Sequence, residues 1–320
     1  MALNVVALAG GVGGAKFAYG LSQILDPGRL TVIVNTGDDF WHLGLRICPD
    51  LDTVMYTLAG VVDPVNGWGV AGDTAYTLQA LGRYGAATWF RLGDQDMATH
   101  ILRTDWLRGG RNLTDITQEL AQRLGVCQTI LPMADAPVAT MVDTVEHGEI
   151  GFQEYFVMRR WQPVVRGLRL EGIESAKVTD AAAAALAAAD AIIIGPSNPW
   201  LSIGPILAVP GMLDAIVKRP VPRVAITPII RGRSVKGPAS KLMAELGYEP
   251  SAKTVAEYYA AVINGFVCDE RDAGMEIPVP HAAIFDTMMR SNADRVALAR
   301  KVLDWINGWR SDVRLGDHPR

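Results

Sequence analysis

Continuous apolar runs alternate with amphipathic segments along most of the chain. The first run, Leu3 to Ala9, predicts a buried strand; a glycine-rich turn follows, then a helical pattern from about Ala15 to Leu25 and a second apolar run in RLTVIVNTGDD. Similar runs in AATWFRLGD, ADAIIIGPSNP and VPRVAITPII bring the predicted strands to at least five. Apolar strands separated by helices are typical of a parallel sheet with both faces covered. The pattern therefore predicts an α/β fold with a doubly wound, mainly parallel sheet.

Two regions depart from this alternation. Between about residues 136 and 175, β-branched and aromatic residues flank the sequence HGE at 147–149, which predicts an antiparallel hairpin in a small inserted subdomain. From about residue 238 the pattern is mainly helical, with one late strand at Ile284. A helix is also predicted in LTDITQELAQRLG, with Thr114 as its N-cap and Gly125 as its stop. Residues 1–320 are therefore interpreted as one domain with an insertion.

Composition and charge narrow the class of protein. Hydrophobic residues make up 49% and charged residues 20%, which is ordinary for a folded chain and favours neither disorder nor a fibrous class. The net charge of −4 gives no basis for a nucleic-acid partner. The three cysteines are far apart, so we expect neither disulfides nor a cysteine-rich metal site. This use of cysteine predicts a cytoplasmic location. The first apolar run lacks the basic flank of a signal peptide and is too short to span a membrane, so no membrane association is expected.

The glycine-rich turn GGVGGAK is the first candidate site. Gly10, Gly11, Gly13 and Gly14 allow a sharp turn after a strand, and they bring backbone N–H groups and Lys16 close to an anion at a helix N-terminus. The spacing matches neither a Walker loop nor the usual dinucleotide motif. The turn is thus interpreted either as a phosphate cradle or as a purely structural turn.

Carboxylates follow the second predicted strand closely. Asp38 and Asp39 come at its end, and Asp50 and Asp52 lie a little further on. Because ligand sites gather beyond the carboxyl ends of parallel strands, we expect these side chains to share a crevice with the glycine turn. Carboxylates beside phosphates favour Mg²⁺. Alternatively, Asp50 and Asp52 cap a helix that begins at Thr53.

Neutral and basic donors come at other strand ends. Ser197, Asn198 and Ser202 could bind phosphate oxygens or a base, although loop chemistry alone favours the same residue types. Arg91, just after the predicted strand in AATWFRLGD, offers a planar donor fork. His100 is interpreted as an ordinary helix residue. Trp68 and Trp89 are candidates either for stacking on a flat ring or for core packing.

The ordered motifs GGVGGAK, VNTGDDFW, CPDLDTVMYTLAGVVD, GDTAYTL, RLGDQDMATHILRT and GPSNPWLSIGPIL resemble the 2-phospho-L-lactate transferase family of deazaflavin-coenzyme (factor 420) biosynthesis. The resemblance implies a Rossmann-like fold with a small inserted α+β subdomain and a Mg²⁺-dependent homodimer. The implied reaction moves a phospholactyl or phosphoenolpyruvyl group from its guanosine diphospho-ester to the ribityl hydroxyl of the deazaflavin Fo, releasing GMP. The implied substrates are therefore small molecules.

The resemblance also implies roles for individual residues. Asp52 and Arg91 match the positions that bind Fo, and the guanosine diphosphate moiety would lie across the glycine turn and the loop of Ser197 and Asn198. Among the four carboxylates, Asp38 and Asp50 are the expected Mg²⁺ ligands. The expected catalytic residues are Asp52 and Asp39, and Asp52 would orient or deprotonate the hydroxyl. The sequence does not decide which of the four carboxylates binds the metal and which acts in catalysis.

Three questions stay open at this level. The lactyl and enolpyruvyl donors differ by two hydrogens, and the GGVGGAK form with glycine at position 14 resembles bacterial members of the family, which favours enolpyruvyl. A nucleotide-sugar-binding regulator of the gluconeogenesis-factor type shares a glycine-rich start, but the CPDLDTV and RLGDQDMATH segments match the transferase better. A nicotinamide-dependent oxidoreductase would use an acidic residue at the end of the second strand, yet it leaves Asp50 and Asp52 without a role.

Overall fold

The computed structural model describes residues 1–315, in which helices and strands alternate along most of the chain. The strands are β1 (Val5–Ala9), β2 (Leu30–Val34), β3 (Phe40–His42), β4 (Leu45–Ile47), β5 (Thr129–Pro132), β6 (Ala139–Thr144), β7 (Gly148–Gly151), β8 (Val165–Glu171), β9 (Ala191–Ile194), β10 (Arg223–Ile226), β11 (Ile229–Ile230), β12 (Arg233–Ser234), β13 (Gly265–Asp269) and β14 (His281–Phe285). The helices are α1 (Gly11–Ser22), α2 (Pro49–Ala59), α3 (Tyr76–Arg83), α4 (Asp94–Arg108), α5 (Leu113–Arg123), α6 (Asp180–Ala188), α7 (Gly204–Ala208), α8 (Met212–Val217), α9 (Ala239–Glu245), α10 (Ala252–Tyr258) and α11 (Asn292–Leu315).

A seven-stranded parallel sheet forms the centre of the molecule, in the order β14-β13-β10-β9-β1-β2-β5. The chain builds outward from β1 through β2 to β5, and then returns to place β9 on the other side of β1. This reversal opens a crevice beyond the carboxyl ends of β1 and β9, where open α/β sheets bind ligands. The predicted doubly wound α/β fold is confirmed.

Both faces of the sheet are buried, which explains the continuous apolar strands. Alternate residues of β1 point to opposite faces: Val5 and Ala7 pack with residues of α1, α2, α5 and α11, whereas Val6 and Leu8 pack with residues of α6 to α10. The two layers of helices hold the strand ends in fixed positions, so the loops that follow those strands are well supported.

A small antiparallel sheet, in the order β7-β6-β8, lies within the predicted insertion. The connection from β6 to β7 contains His147, so the predicted hairpin is confirmed. The insertion has a small core of its own, and this core extends to Leu201 in the loop after β9 and to Leu242 on α9. These contacts fix the insertion beside the crevice.

Two predicted features of the 86–125 region are wrong. No strand forms in residues 86–93, where Trp89 and Phe90 instead pack against the Phe40 ring of β3, with ring centroids 5.9 and 4.9 Å apart. Asn112, not Thr114, caps α5, because its Oδ1 accepts a hydrogen bond of 2.7 Å from the backbone N–H of Asp115. The predicted stop is confirmed.

Boundaries elsewhere also shift. Helix α1 begins at Gly11, four residues before the predicted start, and so includes most of the glycine-rich turn. After residue 238 the chain has helices α9 to α11, but β13 and β14 also join the central sheet there. The late strand at Ile284 is confirmed, and β13 was not predicted. Within residues 1–315, no helix has the length and apolar character needed to cross a membrane.

Candidate functional site

A cleft of about 570 Å³ lies at the reversal of strand order. The walls come from the glycine turn, the loop after β2, α2, the loop after β9, the chain after β10 and part of the insertion. Most of the predicted site residues line it: Gly10, Gly11, Gly13, Lys16, Asp38, Asp50, Asp52, Arg91, Ser197, Asn198 and Ser202. Gly14 and Asp39 are not among the lining residues.

The glycines let two loops meet at the floor of the cleft. A Cβ at Gly13 would lie 2.3 Å from the carbonyl oxygen of Pro196, and one at Gly10 would lie 2.5 Å from Cβ of Ser202. Gly11 has a φ of +63°, which favours glycine. Gly14 is buried, and a Cβ there would lie 2.6 Å from Oγ of Ser197. The predicted nucleotide contact at Gly14 therefore finds no support in this geometry, and Gly14 serves close packing.

Some of the backbone N–H groups that were expected to bind a phosphate already have hydrogen-bond partners within the protein. The Gly10 N–H donates to Oγ of Ser197 at 3.2 Å, and that hydroxyl donates back to the Gly10 carbonyl at 2.8 Å. A backbone hydrogen bond from Gly11 also reaches the Asp50 carboxyl, where it opposes the rise in pKa that burial causes. The next N–H groups of α1, those of Val12 and Gly13, have no partner within the helix, and the helix dipole favours an anion beside them. Fewer backbone N–H groups are thus free to bind a phosphate than the four glycines predict.

Asp38 and Asp50 form an acidic pair in the cleft. The Asn35 amide donates to Oδ2 of Asp50 at 3.0 Å, and its own Oδ1 accepts from the Gly37 N–H at 2.8 Å. Burial raises the pKa of Asp38 well above its usual range, and the charge of Asp50 raises it further. Burial also raises the pKa of Asp50 to about 6. Since both carboxyls are buried and the charge of one raises the pKa of the other, ionising both without a counter-charge is costly.

The acidic pair fits a hard divalent cation. Oδ1 of Asp38 is buried and has no hydrogen-bond partner among residues 1–309. Carboxylate oxygens are the ligands that Mg²⁺ prefers, usually together with water and substrate phosphate oxygens. Because α2 begins at Pro49, Asp50 lies in its first turn, and the alternative of a helix capped before Thr53 is wrong.

Asp39 lies on the other side of the same loop. Its carboxyl is buried and faces Arg46, with Nη2 to Oδ2 at 3.4 Å. Burial raises the pKa of Asp39 to about 7, against the opposing effect of Arg46. The predicted catalytic role of Asp39 finds no support in this geometry, since the side chain connects the loop to β4 instead of facing the cleft.

Asp52 lines the cleft but is held by a buried cation that the sequence analysis missed. Arg103 of α4 donates through Nη1 to Oδ2 of Asp52 at 3.0 Å and through Nη2 to Oδ1. His100, predicted to be an ordinary helix residue, lines the cleft and places Nδ1 3.6 Å from Oδ2 of Asp52. Its Nε2 lies 3.3 Å from Oδ1 of Asp96. The spacing 96, 100, 103 on one helix face was the available signal.

An aromatic wall lies near Arg91. Trp89 and Phe90 precede Arg91 in the chain and line the cleft, as do Trp68 and, from the insertion, Phe152 and Phe156. Arg91 is exposed at the mouth. Flat apolar walls with a few polar groups suit a planar ring.

Two lysines, Lys16 and Lys236, also line the cleft. Nζ of Lys16 donates to the Met289 carbonyl at 3.2 Å. Burial lowers the pKa of Lys16, and the charges of Arg295 and Lys236 lower it further. Within residues 1–309 no carboxylate lies within 4.0 Å of the Lys16 or Lys236 ammonium. Asn198 uses its Oδ1 to accept from the N–H groups of the turn that follows it, at 3.0 and 3.1 Å.

Known sequences match the chain over most of its length. The family model described as 2-phospho-L-lactate transferase CofD matches residues 5–301. A 2-phospho-L-lactate transferase of Methanosarcina mazei is 41% identical over 303 residues, which cover 93% of this chain and 99% of that protein. A phosphoenolpyruvate transferase of Streptomyces griseus is 41% identical over 311 residues, which cover 94% of this chain and 98% of that protein.

Solved structures show a related fold. Protein BH3568 from Bacillus halodurans matches with a TM-score of 0.60 and 15% identity, covering 95% of this chain and all of that one. A second crystal structure of BH3568, described as a member of the upf0052 family, gives a TM-score of 0.57 over 89% of this chain and 93% of that one. At this identity the likeness concerns the fold alone. The resemblance read from the motifs is confirmed by the family match: the chain belongs to the 2-phospho-L-lactate transferase CofD family of transferases.

Proposed function

We propose that the protein transfers a phosphoenolpyruvyl or 2-phospholactyl group from its guanosine diphospho-ester to the ribityl hydroxyl of the deazaflavin Fo, releasing GMP. One observation carries the proposal. A single cleft joins a helix N-terminus and an acidic pair to an aromatic wall with Arg91 at its mouth. The first two features suit a diphosphate with a divalent cation, and the third suits a flat tricyclic ring.

On the donor side, the diphosphate would lie between the first turn of α1 and Lys16. Asp38 and Asp50 would hold Mg²⁺, which when bound would neutralise negative charge on the diphosphate oxygens. The unpartnered Oδ1 of Asp38 and the raised pKa values of the pair support this assignment. Ser202 and Asn198 line the cleft nearby and offer neutral contacts to the nucleotide.

On the acceptor side, Asp52 and Arg91 would bind Fo between the aromatic residues. The ribityl oxygen would attack the distal phosphorus, the P–O bond to the GMP moiety would break, and GMP would leave with the bonding electrons. Little covalent chemistry is asked of the protein, so catalysis would rest on positioning and on stabilising the charge of the phosphoryl group. The amides of Val12 and Gly13 and the Lys16 ammonium would stabilise that charge.

The donor group stays open within this proposal. Relatives named for 2-phospho-L-lactate and for phosphoenolpyruvate are equally similar to the chain, at 41% identity. A homodimer is proposed on the resemblance alone. Light scattering behind a sizing column would show a mass near twice 34.5 kDa for a homodimer.

The deciding experiment mixes the protein with Fo, Mg²⁺ and one of the two guanosine diphospho-esters. GMP and the phosphorylated deazaflavin are then measured by chromatography. We expect equal amounts of both products with at least one ester, and none when Mg²⁺ is replaced by a chelator. Absence of GMP with both esters would refute the proposal.

Variants test the two sides of the cleft separately. Asp50→Asn should change the Mg²⁺ dependence, and Arg91→Ala should raise KM for Fo. The matched controls are Asp180→Asn and Arg300→Ala, which change the same residue types at exposed positions outside the cleft. They should leave the Mg²⁺ dependence and the KM for Fo unchanged. Thermal unfolding with GDP, a UDP-sugar or NAD(P) separates the rival functions, because a ligand that binds only the folded state raises Tm.

A further inference from the structure

Two lysines of the cleft have charges that no neighbouring carboxylate balances. Lys16 and Lys236 both line the cleft, and within residues 1–309 no carboxylate lies within 4.0 Å of either ammonium. Burial lowers the pKa of Lys16, and the charges of Arg295 and Lys236 lower it further. The two ammonium groups are therefore close enough to repel each other, and an anion bound beside them would relieve that repulsion.

Each of the two ammonium groups keeps donors for a ligand. A lysine has three N–H donors. Lys16 uses one on the Met289 carbonyl at 3.2 Å, and Lys236 uses one on the Asn66 carbonyl at 2.5 Å. Oδ1 of Asp63 in turn accepts from the Asn66 N–H at 2.8 Å, so the loop that orients Lys236 is itself held. Two N–H groups of each lysine are thus left for an anion.

Lys236 lies between the first turn of α1 and an aromatic residue of the insertion. Gly67 directly follows the hydrogen-bond partner of Lys236, and a Cβ at Gly67 would lie 2.7 Å from Cγ1 of Val12. On the other side, a Cβ at Gly237 would lie 3.9 Å from Cε2 of Phe156. The proposed function puts the diphosphate at the first turn of α1 and the acceptor ring among the aromatic residues. Lys236 therefore borders the space where the distal phosphate would meet the acceptor.

The proposed donor has a further negative charge in that space. Lactate and enolpyruvate are each esterified to the distal phosphate through the carbon that bears the carboxylate, so this carboxylate lies beside the reacting phosphorus in either ester. Asp38 and Asp50 would repel it when ionised, and Lys16 is already assigned to the diphosphate. The Lys236 ammonium is a compact charge with rotatable donors, which suits a single carboxylate.

We propose that Lys236 binds the carboxylate of the acid group on the donor, an inference that rests on the proposed function. One N–H of the ammonium stays on the Asn66 carbonyl, and the other two donate to the carboxylate oxygens. No bond to this carboxylate changes during transfer, so Lys236 determines specificity and positions the donor. Because the lactyl and enolpyruvyl groups have the same carboxylate, the contact selects donors with a carboxylate at this position and does not separate the two acids.

A structural role is the competing explanation of Lys236. In that case its ammonium would only hold the loop of Asn66 in place. A glutamine at position 236 can still donate an N–H to the Asn66 carbonyl but carries no charge, whereas an arginine keeps the charge. Lys236→Gln and Lys236→Arg therefore separate the two explanations.

The test measures binding to the full chain by calorimetry, in Mg²⁺ and without Fo. The two probes are the guanosine diphospho-ester of lactate and that of lactamide, which has the same shape without the carboxylate charge. We expect the wild type to bind the lactate ester about 10- to 100-fold more tightly, since hydrogen bonds to charged groups contribute about that much. Lys236→Gln should abolish this preference by weakening only the lactate ester, and Lys236→Arg should keep it.

Two further variants serve as controls. Lys16→Gln should weaken both esters by the same factor, because Lys16 is assigned to the diphosphate that they share. Lys177→Gln changes an exposed lysine outside the cleft and should alter neither affinity.

Three results would overturn the inference. The first is a wild-type protein that binds both esters equally. The second is a Lys236→Gln protein that keeps the preference or weakens both esters by the same factor, as a structural role or a contact to the diphosphate would require. The third is loss of the preference in Lys16→Gln. A wild type that shows the expected preference but releases no GMP with Fo refutes the proposed reaction and leaves the carboxylate contact standing, whereas a wild type that binds neither ester refutes both.

Discussion

Gly13→Ala is expected to damage both the stability and the nucleotide affinity of the protein. The added Cβ would lie 2.3 Å from the Pro196 carbonyl oxygen, whereas ordinary contacts begin at 3.4 Å, so α1 or the loop after β9 must move by about 1 Å. Overpacking of this kind costs roughly 1–3 kcal/mol of unfolding free energy. The same movement displaces Ser197 from its hydrogen bonds with Gly10, and so separates the two loops that form the floor of the cleft.

Two measurements test this reasoning. Urea unfolding gives the loss of stability, and calorimetric titration with GDP in Mg²⁺ gives the loss of affinity. Activity should fall as well, since a displacement of about 1 Å can cost about 10²-fold in rate. Gly167→Ala is the matched control, because a Cβ there meets nothing within 4 Å and Gly167 lies outside the cleft. If Gly13→Ala unfolds at the wild-type urea concentration and binds GDP normally, the close approach of these loops is not what the glycine provides.

Three further predictions concern the charged residues of the cleft. Burial raises the folded-state pKa of Asp50 to about 6, so the metal-free protein should lose stability as pH rises from 3.8 to about 6. Mg²⁺ needs Asp38 and Asp50 in their ionised forms, and it should therefore raise Tm only above that range. Thermal scans at several pH values with Mg²⁺ or chelator check this, and an equal Mg²⁺ effect at pH 5 and 8 would contradict it. Arg103→Met should cost about 3–5 kcal/mol by leaving Asp52 buried and unpaired. Adding Asp52→Asn should restore part of that loss in urea unfolding, and purely additive losses would show that the pair is not coupled. Arg91→Ala should raise KM for Fo with little change in Tm, since Arg91 is exposed; an unchanged KM would remove Arg91 from the acceptor site.

The sequence by itself determined the sheet and the position of the site along the chain. Continuous apolar strands separated by helices permit few arrangements other than a parallel sheet covered on both faces. Because the carboxyl ends of such strands meet at one edge, polar residues after β1, β2 and β9 had to lie near one another. The glycine turn, Asp38, Asp50 and Ser197 could therefore be grouped before any coordinates were known.

Local packing decided what the apolar pattern could not. The run from 86 to 93 has the composition of a strand, but its aromatic side chains pack against Phe40 and line the cleft instead. The strand β13 follows a helical stretch, and its pattern alone did not separate it from its neighbours. Its pairing with β10 and β14 is a long-range contact that local propensity does not report.

Only the tertiary structure decided which charged groups face the cleft and which partners they have. Asp38 and Asp39 are adjacent in one loop, yet the first lines the cleft and the second faces Arg46, because the chain turns there and the Asp39 N–H donates to the Thr36 carbonyl at 3.2 Å. Asp52 and Arg103 are 51 residues apart and meet because α2 and α4 bring their polar faces together beneath the cleft. The strength of such a pair depends on burial and on contacts between distant elements, and neither quantity is encoded in the spacing of residues along the chain.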